Sequence, residues 1–205
     1  MSDETKKDGA QKGIVDTLEM PLLFGKYDMK EVKINDPSLK KYINLTPILV
    51  PHSGGHHGNK KFGNIEVSII ERLINSMMRT ENFTGKKMKA YKTVMEAMDI
   101  IHKRTKENPV QVLIKAIEHS SPKEETTQIR YGGISVPKAV DVSPSRRISI
   151  ALSNNSRGAV KASYKNKKNI AECLANELMN ASKGEKTSFA VNRKEEMERM
   201  AQSAR

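Results

Sequence analysis

The sequence contains no tryptophan and a single cysteine, and no apolar run in it approaches the roughly 18 residues that a membrane-spanning helix requires. A single cysteine excludes disulfides within the chain and zinc sites built from several cysteines. Cys173 falls on an apolar helical stripe with Ile170, Leu174 and Leu178, which favours a core residue over a nucleophile. The first 13 residues also lack the apolar core of a signal peptide, so we expect a reducing cytoplasm.

Hydrophobic residues are also scarce, at 37%, while lysine and arginine together exceed aspartate and glutamate by 36 to 24. Residues 1–36 hold six lysines against eight acidic residues, so the basic surplus belongs to the remainder of the chain. With 205 residues the chain can bury one sizeable core. A small core with a basic surface favours nucleic acid, or less well an anionic membrane, as the partner.

The stretch Ile65–Lys103 predicts two amphipathic helices, because apolar residues recur in each half at steps of three and four. Their connection ends in Gly85, Lys86 and Lys87. The glycine suits a turn, and the two lysines would lie on the first turn of the second helix, where the helix dipole disfavours cations. A phosphate bound by both lysines and by the free amides of that turn would offset this cost. A solvated basic turn is the alternative.

The N-terminal part, residues 1–64, is predicted to be a tail and an extended basic arm, with disorder over residues 1–13 and a short helix after Pro37. The segment His52–Asn64 combines four glycines, three histidines and two lysines, so we expect neither a stable helix nor a strand. Its histidines could bind zinc, but the segment contains no cysteine or carboxylate that would complete the set of ligands. A flexible arm whose Lys60 and Lys61 lie along phosphates is the favoured interpretation.

The remainder, residues 65–205, is predicted to be a helical domain interrupted by one β-hairpin at about 125–141. Asn108 and Pro109 indicate the start of a helix before the hairpin. Gly132 and Gly133 indicate the two-residue turn of the hairpin. A ribbon that carries Arg130, Tyr131 and Lys138 suits a nucleic-acid path, and a hairpin that only covers the core is the alternative.

Three further helices are predicted after the hairpin. The first starts at Ser143 and Pro144, carries Arg146 and Arg147 on its first turn, and fades in the polar stretch from about residue 153. The second runs from about residue 168 to 182 and closes at Gly184. The last is predicted to start at Asn192, because Glu195 completes a capping box.

Five separated blocks of the chain resemble, in order, the signatures of the universal family of small-subunit ribosomal protein number seven. They are Ile70–Lys87, Asn108–Ile117, Gly132–Arg147, Asn169–Gly184 and Lys194–Arg205. The segments KINDPSLKKYINL and PHSGG resemble its archaeal and eukaryotic branch, whose eukaryotic members are called protein number five.

This resemblance implies a mainly α fold, a bundle of about six helices with one protruding hairpin and an extended N-terminal arm. It also implies a structural constituent of the small ribosomal subunit in the cytoplasm, with no catalysis, no cofactor and no metal. Such a protein binds the 3′ major domain of small-subunit rRNA, nucleates assembly of the head, and lies near the exit-site tRNA and the mRNA. Neighbouring ribosomal proteins of the head and platform, numbers nine and eleven, are implied partners, and a membrane is not.

The basic residues expected to bind rRNA are Lys60, Lys61, Arg79, Lys86, Lys87, Arg146, Arg147, Arg157, Lys161 and Lys165. The hairpin residues expected on the tRNA and mRNA side are Arg130, Tyr131, Gly132, Gly133 and Lys138. Two other classes stay open from the residues alone. One is a hydrolase that uses His52, His56 or His57, which would need a converging carboxylate, and the other is a duplex-DNA-binding protein.

Overall fold

The computed structural model describes residues 21–205, so the predicted disorder over residues 1–13 lies outside the described residues. Its helices are α1 (Pro37–Lys40), α2 (Ile69–Met78), α3 (Lys87–Thr105), α4 (Pro109–Ser120), α5 (Pro144–Ser163), α6 (Ile170–Ser182) and α7 (Phe189–Ser203). Its strands are β1 (Glu124–Tyr131) and β2 (Ile134–Asp141). Short 3-10 turns lie at His56–Asn59 and Gly63–Ile65. The six longer helices and the hairpin confirm the predicted mainly α fold.

The core lies where α6 packs against α3, α4 and α5. Leu113 and Ile117 on α4 and Leu174 and Leu178 on α6 are fully buried there. These residues recur at steps of four, so each helix turns one apolar stripe inward. Cys173 is also buried, and burial raises the pKa of its thiol, which confirms the prediction of a core residue rather than a nucleophile.

Helix α4 begins as the sequence predicts. The side chain of Asn108 accepts a hydrogen bond from the amide of Val110 at 3.0 Å, and Pro109 occupies the first helical position, where no amide hydrogen is needed. The capping residue therefore supplies the partner that the free amides of a helix start require.

Helix α5 is longer than the sequence predicts, because it does not fade after residue 153 but continues to Ser163. Two of its polar residues bind neighbouring elements: Asn155 donates to the hydroxyl of Ser120 at 3.1 Å, and Ser156 to that of Ser76 at 3.1 Å. Gly158 lets α6 and α7 approach α5 closely, since a Cβ added at Gly158 would lie 2.9 Å from the Glu177 carboxyl. Tertiary packing thus keeps weak helix formers helical.

Helix α7 begins at Phe189, and its capping residue lies four residues before the predicted cap Asn192, so the proposed capping box is wrong. Ser188 is the capping residue, and its side chain accepts from the amide of Val191. The buried Glu177 carboxylate also accepts from the Ser188 hydroxyl at 2.8 Å and from the amide of Ala190 at 3.0 Å. A carboxylate at a helix start suits the helix dipole, and the sequence pattern gives no sign that it comes from α6.

Residues 21–64 contain little regular structure, as expected of an arm, but they lie against the bundle rather than away from it. Leu23, Met29 and Leu39 are buried in the same core as the helices. Polar side chains of the bundle bind the arm as well: Gln111 accepts from the amide of Lys33 at 2.8 Å. The segment is therefore an ordered part of the bundle surface.

The hairpin runs at residues 124–141, as predicted, with Tyr131 opposite Ile134 in an antiparallel register. Gly132 and Gly133 both have positive φ, which a two-residue turn of type I′ requires. Only its base contacts the bundle. There the amide of Ala139 donates to the carbonyl of Ala204 at 3.3 Å, and Arg205 forms an ion pair with Glu124.

Candidate nucleic-acid interface

A basic groove of about 620 Å³ lies between α2, α5 and the loop that carries the 3-10 turns. Four of its lining residues are cationic: Arg72, Arg79, Arg157 and Lys161. Among residues 21–205, Glu81 is the single carboxylate along it. Hydroxyl and amide side chains also line it, together with Leu152 and Val160, so the groove offers donors as well as positive charge. We call it the α2–α5 groove.

Helix periodicity brings these cations together. Arg72 on α2 and Arg79, which caps the end of α2, are seven residues apart, and Arg157 and Lys161 are four apart on α5, so each pair lies on one helix face. Three of the four are among the residues predicted to bind RNA. The structure therefore gathers Arg79, Arg157 and Lys161 from distant parts of the sequence.

Arg72 is the groove residue that the sequence analysis missed. Its guanidinium donates to the carbonyl of Tyr42 at 3.1 Å and to the hydroxyl of Ser149 at 3.3 Å. Burial lowers the pKa of the Arg72 guanidinium. Its spacing from Arg79 on the polar face of an amphipathic helix is the signal that would have found it.

Aromatic rings position two of the other predicted cations. The ammonium of Lys161 lies 4.2 Å from the centre of the Phe189 ring, and that of Lys165 lies 5.4 Å from the centre of the Tyr164 ring. Tyr164 and Lys165 are both exposed just beyond the end of α5. These contacts leave the ammonium groups on the surface, where a phosphate can reach them.

The two predicted lysines at the start of α3 differ in their surroundings. Gly85 has a φ of +85°, so it supplies the turn as predicted, and Lys86 is exposed at the capping position. Lys87 instead forms an ion pair with Glu71 of α2, with 2.7 Å between Nζ and Oε1. Its place in RNA binding stays a prediction.

The two predicted arginines at the start of α5 differ in the same way. Arg146 is exposed and forms an ion pair with Glu125 at the base of the hairpin, at 2.8 Å. Arg147 is buried and donates to Asp36 at 2.9 Å, to Ser38 at 2.6 Å and to Ser121 at 3.1 Å. Burial raises the pKa of the Asp36 carboxyl, but the hydrogen bonds from Ser38 and Arg147 outweigh burial and lower it.

The histidine-rich loop is folded into its two 3-10 turns rather than extended. Gly54 and Gly55 take positive φ, and Gly63 lies so close to the backbone of His57 that a Cβ would meet its carbonyl. Lys60 and Lys61 are exposed on this loop, and Lys60 lies 3.5 Å from the carboxylate of Glu66. Glycine thus permits a compact loop here.

The carboxylate of Glu71 binds Ser53 in the histidine-rich loop, which the sequence analysis did not foresee. The Ser53 hydroxyl lies 3.3 Å from Nδ1 of His57 and donates to Glu71 at 2.9 Å. Burial raises the pKa of the Glu71 carboxyl, but hydrogen bonds from Lys87 and Ser53 outweigh burial and hold that pKa below its ordinary value. Ser53 therefore links the histidine-rich loop to Glu71 of α2.

The hairpin residues stand apart from the groove. Arg130, Tyr131 and Lys138 are exposed, as are both turn glycines, and none of them lines the α2–α5 groove. Tyr131 and Ile134 are 65% and 70% exposed, so the hairpin tip does not cover the core.

Within residues 21–205, none of the helices is both long enough and apolar enough to cross a lipid bilayer. In the same part of the chain, no cluster of three or more histidine, cysteine or acidic side chains has an arrangement that could hold a metal ion.

Comparison with known proteins decides between the classes that the residues leave open. The model of the family described as ribosomal protein S7p/S5e matches residues 39–205. The chain belongs to this family. Its members are structural, non-enzymatic components of the ribosome, so the hydrolase alternative is wrong.

Relatives in the S7p/S5e family align over nearly the whole chain. The small ribosomal subunit protein uS7 of Methanothermobacter thermautotrophicus is 56% identical over 185 residues, which are 90% of this chain and 100% of the relative. The uS7 protein of Thermoplasma volcanium is 53% identical, over 90% of this chain and 100% of the relative. That of Archaeoglobus fulgidus is 54% identical, over 92% of this chain and 97% of the relative. The predicted archaeal and eukaryotic branch is thereby confirmed.

Proposed function

We propose that this member of the S7p/S5e family is a structural constituent of the small ribosomal subunit that binds the 3′ major domain of its rRNA. The names of its relatives and the α2–α5 groove support this proposal. By binding several RNA helices at once, the protein nucleates assembly of the head. Ribosomal proteins nine and eleven are its proposed neighbours.

The observation that carries the proposal is the convergence of four cations on one groove. Three of them are arginines, whose planar guanidinium matches a phosphate with two parallel hydrogen bonds. Arg72 is held by Tyr42 and Ser149 before any ligand binds, so part of its ordering cost is already met. The groove therefore fits an RNA backbone, whose recognition depends on shape and phosphate contacts.

The hairpin has a separate proposed role, beside the exit-site tRNA and the mRNA. Its exposed Arg130 and Lys138 provide positive charge, and Tyr131 provides an aromatic face on which a base can stack. Since only its base is held by the bundle, the tip is available for such contacts.

A salt series tests the proposal on purified chain and the isolated 3′ major domain RNA. Each phosphate contact contributes about 0.7 to 0.9 to the slope of log affinity against log salt. The triple variant Arg79→Ala, Arg157→Ala and Lys161→Ala should therefore flatten the slope by about 2 to 3. Arg72 is left in place, because its removal would also break contacts within the protein.

The matched control removes three lysines that do not line the groove, the partly exposed Lys115 and the exposed Lys183 and Lys186. Equal flattening by the two triple variants would mean that the groove is not the binding site. Binding no tighter than to an unrelated RNA, or equal binding to duplex DNA at moderate salt, would contradict the ribosomal role itself.

A further inference from the structure

The two cation pairs at helix starts, Lys86 with Lys87 and Arg146 with Arg147, share one arrangement. In each pair the first residue is exposed and the second is turned inward onto a carboxylate of another element. The side chain of Arg146 is 60% exposed and that of Arg147 only 9%. A repeated division of this kind suggests two different tasks within each pair.

Lys87 ties the histidine-rich loop to the bundle through Glu71. The Glu71 side chain is 3% exposed, and its Oε1 accepts from Lys87 at 2.7 Å and from the amide of Ser53 at 3.0 Å. The Lys87 side chain is only 23% exposed, and moving its ammonium to a phosphate would leave this buried carboxylate without its cation, which is costly. Lys87 is therefore held in an ion pair within the protein.

Arg147 ties the arm to the bundle through Asp36. Asp36 caps α1 by accepting from the amide of Ser38 at 2.9 Å, and Arg147 binds both residues. Glu118 of α4 adds a hydrogen bond from the amide of Asp36 at 3.1 Å. Because Arg147 also binds Ser121, it joins α1, α5 and the end of α4 at one point.

The first residues of the pairs keep donors for a ligand. Within residues 21–205, no carboxylate lies at ion-pair distance from Lys86. Arg146 contacts Glu125 through Nε and one terminal nitrogen. A guanidinium has five N–H donors, so its other terminal nitrogen remains available for a phosphate.

We propose that the two residues of each pair have different roles. Lys86 and Arg146 contact RNA phosphates, whereas Lys87 and Arg147 are positioning residues that hold the histidine-rich loop and the arm in place. This inference rests on the proposed RNA-binding function. Of the four cations predicted at the two helix starts, only Lys86 and Arg146 would then contact RNA directly.

Four single alanine variants in the salt series with the 3′ major domain RNA test the division. Lys86→Ala and Arg146→Ala should each flatten the slope by about 0.7 to 0.9. Lys87→Ala and Arg147→Ala should leave the slope unchanged and weaken binding by the same factor at every salt concentration. If all four flatten the slope equally, the division is wrong while RNA binding stands.

Hydrogen exchange on the free chain gives a second measurement that does not depend on RNA. Lys87→Ala should speed exchange in residues 51–60, and Arg147→Ala in residues 33–44, while Lys86→Ala and Arg146→Ala change neither segment. Arg147→Lys keeps the charge but loses the planar fork, so it should still speed exchange in the arm. Unchanged exchange in these three inward variants would overturn the proposal.

If Lys87→Ala fails to fold, the double variant Lys87→Met with Glu71→Gln removes the cation without leaving a buried unpaired charge. It should preserve the salt slope, and a flattened slope would overturn the proposed role of Lys87. Should none of the variants change the slope and the RNA bind no better than an unrelated one, the proposed function fails and the division with it.

Discussion

The helical bundle and the hairpin of this protein are stabilised in different ways. The bundle buries complete apolar stripes and pairs its buried carboxylates, such as Glu71 and Glu177, with donors from other elements. The hairpin leaves most of its side chains exposed, and its geometry depends on two positive-φ glycines and a few contacts at its base. Two strands alone are marginal in water, so the bundle anchors a ribbon whose tip stays accessible.

The largest expected difference between the two regions comes from side-chain truncation. Leu113→Ala should lower the free energy of unfolding by about 2 to 5 kcal/mol, because Leu113 is fully buried and a cavity would remain. Ile134→Ala, at an exposed hairpin position, should change it by less than about 0.5 kcal/mol. Denaturant unfolding measures both. Similar losses would show that the hairpin belongs to the cooperative core.

Glycine replacements inside and outside the bundle sharpen the comparison. Gly158→Ala should cost about 1 to 3 kcal/mol of unfolding free energy, since the new Cβ would meet the Glu177 carboxyl and the Phe189 Cβ at 2.9 and 3.0 Å. Gly58→Ala is the matched control, because nothing lies within 4 Å of its Cβ position. Thermal unfolding of both variants should separate them, and equal midpoints would contradict the close approach.

The hairpin turn should respond locally rather than globally. Gly133→Ala forces a residue with a Cβ to a φ of +89°, at a cost of about 1 to 2 kcal/mol. We expect faster hydrogen exchange in residues 124–141 with unchanged exchange in α4 and α6. Thr127→Ser, at an exposed position of β1, should leave both regions unchanged. Faster exchange throughout the bundle would show that the turn supports the core.

The smallest expected effect concerns the pH dependence of stability. Glu71 has a lower pKa in the folded protein than in the unfolded chain, so it stabilises the fold above its unfolded pKa of about 4.3. That contribution is lost as pH falls through the lower, folded pKa.

Glu71→Gln should therefore weaken the fall in stability below about pH 5, measured by urea unfolding at several pH values. Glu185→Gln, at an exposed carboxylate, should leave the pH dependence unchanged. An identical pH profile for Glu71→Gln and the parent chain would contradict the buried ion pair.

Local signals in the sequence were sufficient to predict most of the helices and the hairpin. Asn108 with Pro109, and Gly132 with Gly133, act on backbone groups within a few residues, so their effects are visible without a fold. The end of α5 and the start of α7 were not predicted correctly. Both depend on Glu177 and on buried polar contacts from residues far away in sequence.

The candidate site was predictable as a set of basic residues but not as a geometry. Spacing on α2 and α5 places cations on one face of each helix, yet only packing decides that the two faces meet in a groove. Arg72 was missed, although its seven-residue spacing from Arg79 is visible in the sequence. The inward positions of Lys87 and Arg147 were invisible, because their partners Glu71 and Asp36 lie on other elements.

The amino-acid sequence by itself determined the class of the fold, the order of its helices and hairpin, the basic surface and the family. These follow from periodicity, turn residues and composition, which are properties of neighbouring positions in the chain. Tertiary structure decided which cations face solvent, because a side chain's burial depends on what packs over it. Lys86 and Lys87 are adjacent in sequence, and only the presence of Glu71 beneath one of them makes their surroundings different.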